Sequence, residues 1–132
     1  MTLLDPNAAA FGPDGRPGRA QVLQWLFFEQ YSHEPFIAVA RFICHLLPPD
    51  TPRRSELPRL HERGHAALGV MERRLAGHPF LVADRYTIAD IALYAYTHVA
   101  DEGGFDLASY PGVSAWMGRV AGQPGHLPIT AG

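Results

Sequence analysis

The residues with the clearest chemical pattern form the run His61-Glu62-Arg63-Gly64-His65, which matches His-Glu-x-x-His on a segment that we predict to be helical. Zinc proteases use this spacing because side chains four apart share a helix face. Two imidazoles can then bind one metal, with the glutamate as general base. The pattern by itself indicates a zinc hydrolase that uses His61, Glu62 and His65.

The rest of a zinc site is harder to find in the sequence. Leu68 and Met71 stand where the metzincin pattern has its downstream glycine and histidine. A third ligand would have to be Glu72, Asp84 or Asp90, and Asp90 already has a structural role as a helix cap. We therefore assign no metal ligand and keep the zinc hydrolase only as an alternative.

Two further groupings contain reactive side chains. Glu29, His33 and Glu34 place two carboxylates and an imidazole within six residues, as acid and base chemistry requires. The simpler interpretation is the polar edge of an apolar helix. Cys44, the only cysteine, lies in an apolar run typical of a buried thiol. The sequence has no Gly-x-Ser-x-Gly elbow and no phosphate loop with a lysine, so we assign no catalytic residue.

The composition is that of one globular domain. The chain has 132 residues, of which 47% are apolar and 18% charged, enough to bury a core without disulfides. Its formal charge is −2 and no basic run is longer than the two residues of Arg53-Arg54, which argues against a nucleic-acid partner. No apolar run reaches the roughly 18 residues of a membrane span, and Met1 to Gly18 does not resemble a signal peptide. We expect a soluble, cytoplasmic protein without a membrane partner.

The apolar pattern predicts a bundle of four helices, and its first helix is long. This helix runs from Arg19 to Leu47, where a Pro-Pro pair ends it. Pro35 should kink it because proline removes a backbone hydrogen bond. The N-terminal half carries aromatic residues on nearly every side. We expect part of this aromatic surface to stay exposed and to mark a surface for a partner or ligand.

The second predicted helix covers residues 56–76, with Ser55 as its N-cap. Its apolar residues recur at spacings of three and four, so they share one face that packs into the core. They are Leu57, Leu60, Gly64, Ala67, Leu68, Met71 and Leu75.

The third helix begins at a capping box. The hydroxyl of Thr87 can accept a hydrogen bond from the amide of Asp90, whose carboxylate can accept one from the amide of Thr87. We predict that this helix continues to about Asp101 and occupies the centre of the bundle. The last helix covers 111–121 and should turn Trp116 inward. The fold class is therefore all-α.

This order of helices is similar to the C-terminal domain of the glutathione S-transferase family. The most specific part of the resemblance is the capped central helix. The stretches that carry the resemblance are residues 19–25, 81–94 and 110–116. It covers about 19–125, leaving 1–18 as a linker-like segment and 126–132 as a tail.

The resemblance implies how such a domain would act. In the family, a thioredoxin-like N-terminal domain binds glutathione and supplies the residue that activates its thiol. The sequence before Gly18 contains no such domain. The C-terminal domain walls the pocket for the electrophilic co-substrate and shares in a homodimer interface. By position, Phe28, Tyr31, Ser32 and Pro35 are the pocket candidates.

The resemblance thus implies a domain that supplies a hydrophobic substrate pocket and a dimer surface and that is inactive alone. Its expected partners are a second copy of the chain or a thioredoxin-like domain in trans. We expect no cofactor in this chain, and glutathione as co-substrate only if that other domain is supplied. The alternative from another functional class is a non-catalytic protein-interaction module.

Overall fold

The long first helix lies where the sequence predicts it. In the computed structural model, which describes residues 18–123, it consists of four consecutive segments. These are α1 (Arg19–Phe28), a π-helical turn (Glu29–His33), α2 (Glu34–Arg41) and a second π-helical turn (Phe42–Leu46). The predicted linker, up to residue 17, and the predicted tail 126–132 lie outside the described residues.

Three more α-helices complete the bundle: α3 is Leu57–Leu75, α4 is Ile88–Thr97 and α5 is Pro111–Ala121. Short 3₁₀ turns occur at Pro52–Glu56, Ala100–Gly103 and Leu107–Ser109. The predicted all-α class is confirmed. None of the helices within residues 18–123 is long and apolar enough to cross a membrane.

The irregularity expected at Pro35 lies just before the proline. Pro35 has no N–H to donate to the carbonyl of Tyr31, and its ring crowds that turn. The backbone departs from α-helical geometry in the π-helical turn Glu29–His33, and His33 has φ −112° and ψ −66°. A π-helical turn holds more backbone per turn than an α-helix. As a result, α1 and α2 turn different sets of side chains toward the bundle.

The apolar face of α3 is confirmed. Leu57 is half-buried, and the other six residues of the predicted face are buried. Ser55, however, is not the N-cap, because its hydroxyl donates to the carbonyl of Pro52. Thr51 accepts from the amide of Arg53 and caps the 3₁₀ turn that precedes the helix. α3 therefore starts as a continuation of that turn.

The capping box of α4 is also confirmed. Oδ2 of Asp90 accepts from the amide of Thr87 at 2.8 Å, while the Thr87 hydroxyl accepts from the amide of Ala89. The predicted end of the helix is wrong by four residues. The α-helix ends at Thr97, because the chain tightens there into the 3₁₀ turn Ala100–Gly103, which packs on α2.

The carboxylate of Asp90 also bonds outside its own helix. Its Oδ1 accepts from the amide of Leu81 at 3.1 Å and from the indole Nε1 of Trp116 at 2.8 Å. Both Asp90 and Trp116 are fully buried. One carboxylate thus fixes the preceding loop, the start of α4 and the middle of α5.

Two glycines permit close packing between elements. A Cβ on Gly103 would lie 2.7 Å from the backbone nitrogen of Arg41, so the 3₁₀ turn can approach α2 only with glycine there. The carbonyl of Gly103 also accepts a long hydrogen bond from the thiol of Cys44, at 3.7 Å. A Cβ on Gly64 of α3 would overlap the ring of Phe105.

We predict that Gly64→Ala destabilises the fold by about 1–3 kcal/mol, because the added methyl group has no room against the ring of Phe105. Gly118→Ala in α5 is the matched control, since a Cβ there meets nothing within 4 Å. The control should be stabilising by about 0.5–1 kcal/mol through helix propensity. Urea denaturation measures both. Equal effects of the two substitutions would contradict the packing argument.

We predict a larger loss from Asp90→Ala, about 3 kcal/mol or more, because the amide of Leu81 and the indole of Trp116 lose their acceptor while buried. Asp106→Ala removes an exposed cap that accepts from the amide of Ala108, and it should cost about 1 kcal/mol. Thermal unfolding followed by circular dichroism compares the two variants. A loss from Asp90→Ala no greater than from Asp106→Ala would argue against the network.

Candidate functional site

Three of the four pocket candidates border one groove. Phe28, Tyr31 and Ser32 line a groove of about 430 Å³ between the first helix and α3. Phe28 is buried, whereas Tyr31 is exposed. Pro35 is not among the lining residues. The other lining residues are Phe36, Arg63, Ala66, Ala67 and Val70.

A second cavity, of about 240 Å³, lies beside this groove. Phe28 and Val70 line both of them. The Nε atom of Arg74, which also lines the cavity, donates to the carbonyl of Leu81 at 3.0 Å. The remaining lining residues are Gln21, Gln24, Trp25 and Leu81. The two spaces together form an apolar depression between the first helix and α3.

A row of large apolar side chains on the first helix faces solvent beside the groove. Leu23 is 51% exposed, Phe27 51% and Tyr31 73%. They are four residues apart, so they lie on one side of the helix. This confirms that part of the aromatic surface stays uncovered by the bundle. We call Leu23, Phe27 and Tyr31 the exposed row.

Glu29, His33 and Glu34 do not form an acid–base site. His33 is fully buried, and its Nε2 lies 2.8 Å from the hydroxyl oxygen of Thr97. That hydroxyl donates to the carbonyl of Leu93, so we place the His33 proton on Nε2. Nδ1 is then an acceptor without a partner among residues 18–123. Burial lowers the pKa of His33 to about 4, which keeps the imidazole neutral.

The two histidines of the zinc pattern are engaged in other contacts. Nε2 of His61 lies 2.7 Å from the carbonyl oxygen of Gly103, and Nδ1 of His65 lies 2.6 Å from the hydroxyl of Tyr110. Residues 18–123 contain no group of three His, Cys, Asp or Glu side chains placed to hold a metal ion. The two histidines therefore connect α3 to the segment before α5.

The sequence analysis did not single out the α3 side of the groove. Arg63, Ala66 and Val70 follow the same three-to-four spacing one strip further round the helix, beside Ala67 of the core face. This spacing was a usable signal. One alanine and a charged residue made the strip look like an ordinary solvent-exposed face.

Comparison with known proteins gives a consistent result. The chain matches the family described as "Glutathione S-transferase, C-terminal domain" over residues 23–124. A glutathione S-transferase structure from Pseudomonas fluorescens Pf-5 is 56% identical, with a TM-score of 0.79, over 97% of this chain and 68% of its own. One from Xanthobacter autotrophicus Py2 is 53% identical, with a TM-score of 0.82, over 86% of this chain and 55% of its own.

A curated relative is the disulfide-bond oxidoreductase YfcG of Escherichia coli K12. It is 31% identical over 106 residues, which are 80% of this chain and 48% of the relative. The chain spans about half the length of the curated relatives that it matches.

We predict that His33 makes the fold sensitive to acid. Between pH 6.5 and about 4 the unfolded chain takes up a proton on this imidazole and the folded chain does not. The free energy of unfolding therefore falls as the pH decreases through this window, by about 3 kcal/mol at its lower end. Urea denaturation at several pH values measures this loss.

His33→Leu should reduce the loss between pH 6.5 and 4 by about 3 kcal/mol, because the variant has no imidazole to titrate. Ile37→Val is the control, since it changes a fully buried core residue of the same long helix without removing a titratable group, and it should leave the pH dependence unchanged. The same pH dependence in His33→Leu and in the original chain would contradict the assignment.

Proposed function

Because the chain belongs to the glutathione S-transferase family, whose C-terminal domain it matches, we propose that it supplies the pocket for an apolar, electrophilic co-substrate and a surface for assembly. It conjugates glutathione only when a thioredoxin-like, glutathione-binding domain completes the site. The observation that carries this proposal is the exposed row beside the apolar groove.

The exposed row has a cost that a covering domain would remove. Fully burying a Leu or Phe side chain contributes about 1.5–3 kcal/mol. Leu23 and Phe27 are each about half exposed, so covering them would contribute about 1 kcal/mol apiece. The covering element is a thioredoxin-like domain, in cis or in trans, or a second copy of the chain.

The groove suits the co-substrate side of a conjugation. Its volume of about 430 Å³ is within the usual range for small-molecule sites, roughly 300–1,000 Å³. Its walls are mostly apolar, with the rings of Phe28 and Phe36 and the side chain of Val70, so they hold a ring away from water. The hydroxyls of Tyr31 and Ser32 provide polar groups that can orient it.

The chemistry divides between the two domains. The thiolate of glutathione attacks an electrophilic carbon, a carbon–sulfur bond forms, and the leaving group departs with its electron pair. None of the eight groove-lining residues is a cysteine, so the nucleophile comes from glutathione on the other domain. This chain holds the electrophile near that sulfur, which is a contribution through proximity and orientation.

We predict that the purified chain does not conjugate glutathione to a chlorodinitrobenzene-type electrophile. Fusion of a thioredoxin-like, glutathione-binding domain of the family to its N-terminus should produce conjugation. The absorbance of the conjugate measures both reactions. Clear turnover by the chain alone would overturn the dependence on a second domain. A folded fusion that binds glutathione without turnover would favour the non-catalytic interaction module.

The exposed row provides a variant with a matched control. Phe27→Ser in the fusion should weaken the domain contact and lower the temperature of unfolding of the joined protein, because it removes half-exposed apolar surface from the interface. Leu46 is 59% exposed at the other end of the first helix, so Leu46→Ser should have little effect. Equal effects of the two substitutions would show that the row is not the covered surface.

A further inference from the structure

The buried residues of the first helix change their spacing at the π-helical turn. From α1 through α2 they are Gln24, Phe28, His33, Ile37 and Ala40. One face of an α-helix repeats every three or four residues, so the step of five from Phe28 to His33 marks a shift of register. The amide of Glu34 donates to the carbonyl of Glu29, five residues earlier, as π-helical geometry requires. His33 is therefore the first buried residue of the new register.

This shift decides which ring faces the groove. In a continuous α-helix, Pro35 would lie about 20° from Phe28 around the helix axis, and Phe36 would lie about 80° from it. The additional residue of the π-helical turn rotates the later segment back by about 100°, so Phe36 takes the direction that Pro35 would have. The lining of the groove agrees, because it includes Phe36 and not Pro35.

A buried hydrogen bond to another helix favours the shifted register. With its proton on Nε2, His33 donates to the hydroxyl oxygen of Thr97 in α4 at 2.8 Å, and that hydroxyl donates to the carbonyl of Leu93. The side chains of His33 and Thr97 are both fully buried. A buried N–H without an acceptor is unfavourable, so the imidazole stays in the core only where it reaches Thr97.

The imidazole is not the most stabilising side chain for this position. Its Nδ1 atom is buried and has no hydrogen-bond partner among residues 18–123. A buried acceptor without a partner costs free energy, and an apolar side chain of similar size would avoid that cost. Such departures from good packing occur mainly at functional sites. The observation indicates a role for His33 besides stability.

We propose that His33 is a positioning residue of the groove. Through Thr97 it holds the π-helical turn, and the turn places the ring of Phe36, instead of that of Pro35, in the groove wall. The inference rests on the proposed function, since it gives a residue outside the groove a role in shaping the co-substrate pocket.

Binding of phenylnaphthylamine, a neutral fluorescent probe, tests this role in the full chain at a temperature where circular dichroism shows each variant to be folded. We predict that Thr97→Val lowers the affinity by about fivefold, because valine keeps the size of the side chain but removes the acceptor for His33. Thr97→Ser keeps the hydroxyl and should bind within about twofold of the original chain.

Val113→Ala is the control for a simple loss of stability. Val113 is fully buried in α5 and does not line the groove. The substitution removes core volume, so it should lower the temperature of unfolding without changing the affinity for the probe.

A double-mutant cycle with Phe36→Ala separates positioning from stability. In the original chain, Phe36→Ala should lower the affinity by about fivefold, because it removes a ring from the groove wall. In the Thr97→Val background the same substitution should cost less than about twofold, since the ring has already left the wall. Full additivity of the two effects would overturn the role of His33.

His33→Gln and His33→Asn form a second pair if Thr97→Val does not fold. The longer amide reaches Thr97 and should bind the probe as the original chain does, whereas the shorter one does not reach and should lose about fivefold. Unchanged affinity in folded Thr97→Val or His33→Asn would mean that the bond is structural only, and the proposed pocket would stand. If the original chain does not bind the probe, the groove is not a ligand site, and the proposed function fails with it.

Discussion

A carboxylate that is buried in a protein loses its water and must replace it with hydrogen bonds. Asp90 accepts such bonds from several parts of the chain, and the bundle is held together around it. Its two oxygens accept from the amide of Leu81, the amide and hydroxyl of Thr87, and the indole of Trp116. These donors come from a loop and two helices. Because α1 packs against α4, the position of the groove depends on the helix that this carboxylate anchors.

The local parts of this arrangement could be predicted, and the long-range parts could not. Thr87 and Asp90 are three residues apart, so their spacing alone predicts a capping box, and the apolar face of α3 is equally visible in the sequence. The bond from Trp116 to Asp90 spans 26 residues, and no local pattern encodes it. Ser55 shows the opposite error, because it is a good cap by type and Thr51 serves that role one turn earlier.

The same difference between local patterns and long-range contacts applies to the groove and the residues around it. Phe28, Tyr31 and Ser32 border one groove, and only the family resemblance singled them out. The first helix has so many apolar residues that its pattern alone does not choose a face. The role of His33 could not be predicted. Its partner Thr97 is 64 residues away, and only the packing of α4 shows that this imidazole belongs to the core. Arg63 lies inside the His-Glu-x-x-His run, where the sequence analysis considered only the two histidines and the glutamate.

The π-helical turn Glu29–His33 affects how the exposed row can change in evolution. An additional residue in a helical ladder rotates the helical segment before it by about 100° relative to the segment after it. The exposed row lies largely on one side of this turn, and the core residues Ile37 and Ala40 lie on the other. Mutations on the exposed side of α1 can therefore change the exposed row while the packing of α2 is inherited unchanged. In evolutionary terms, the exposed surface and the core packing are separately adjustable within one continuous helix.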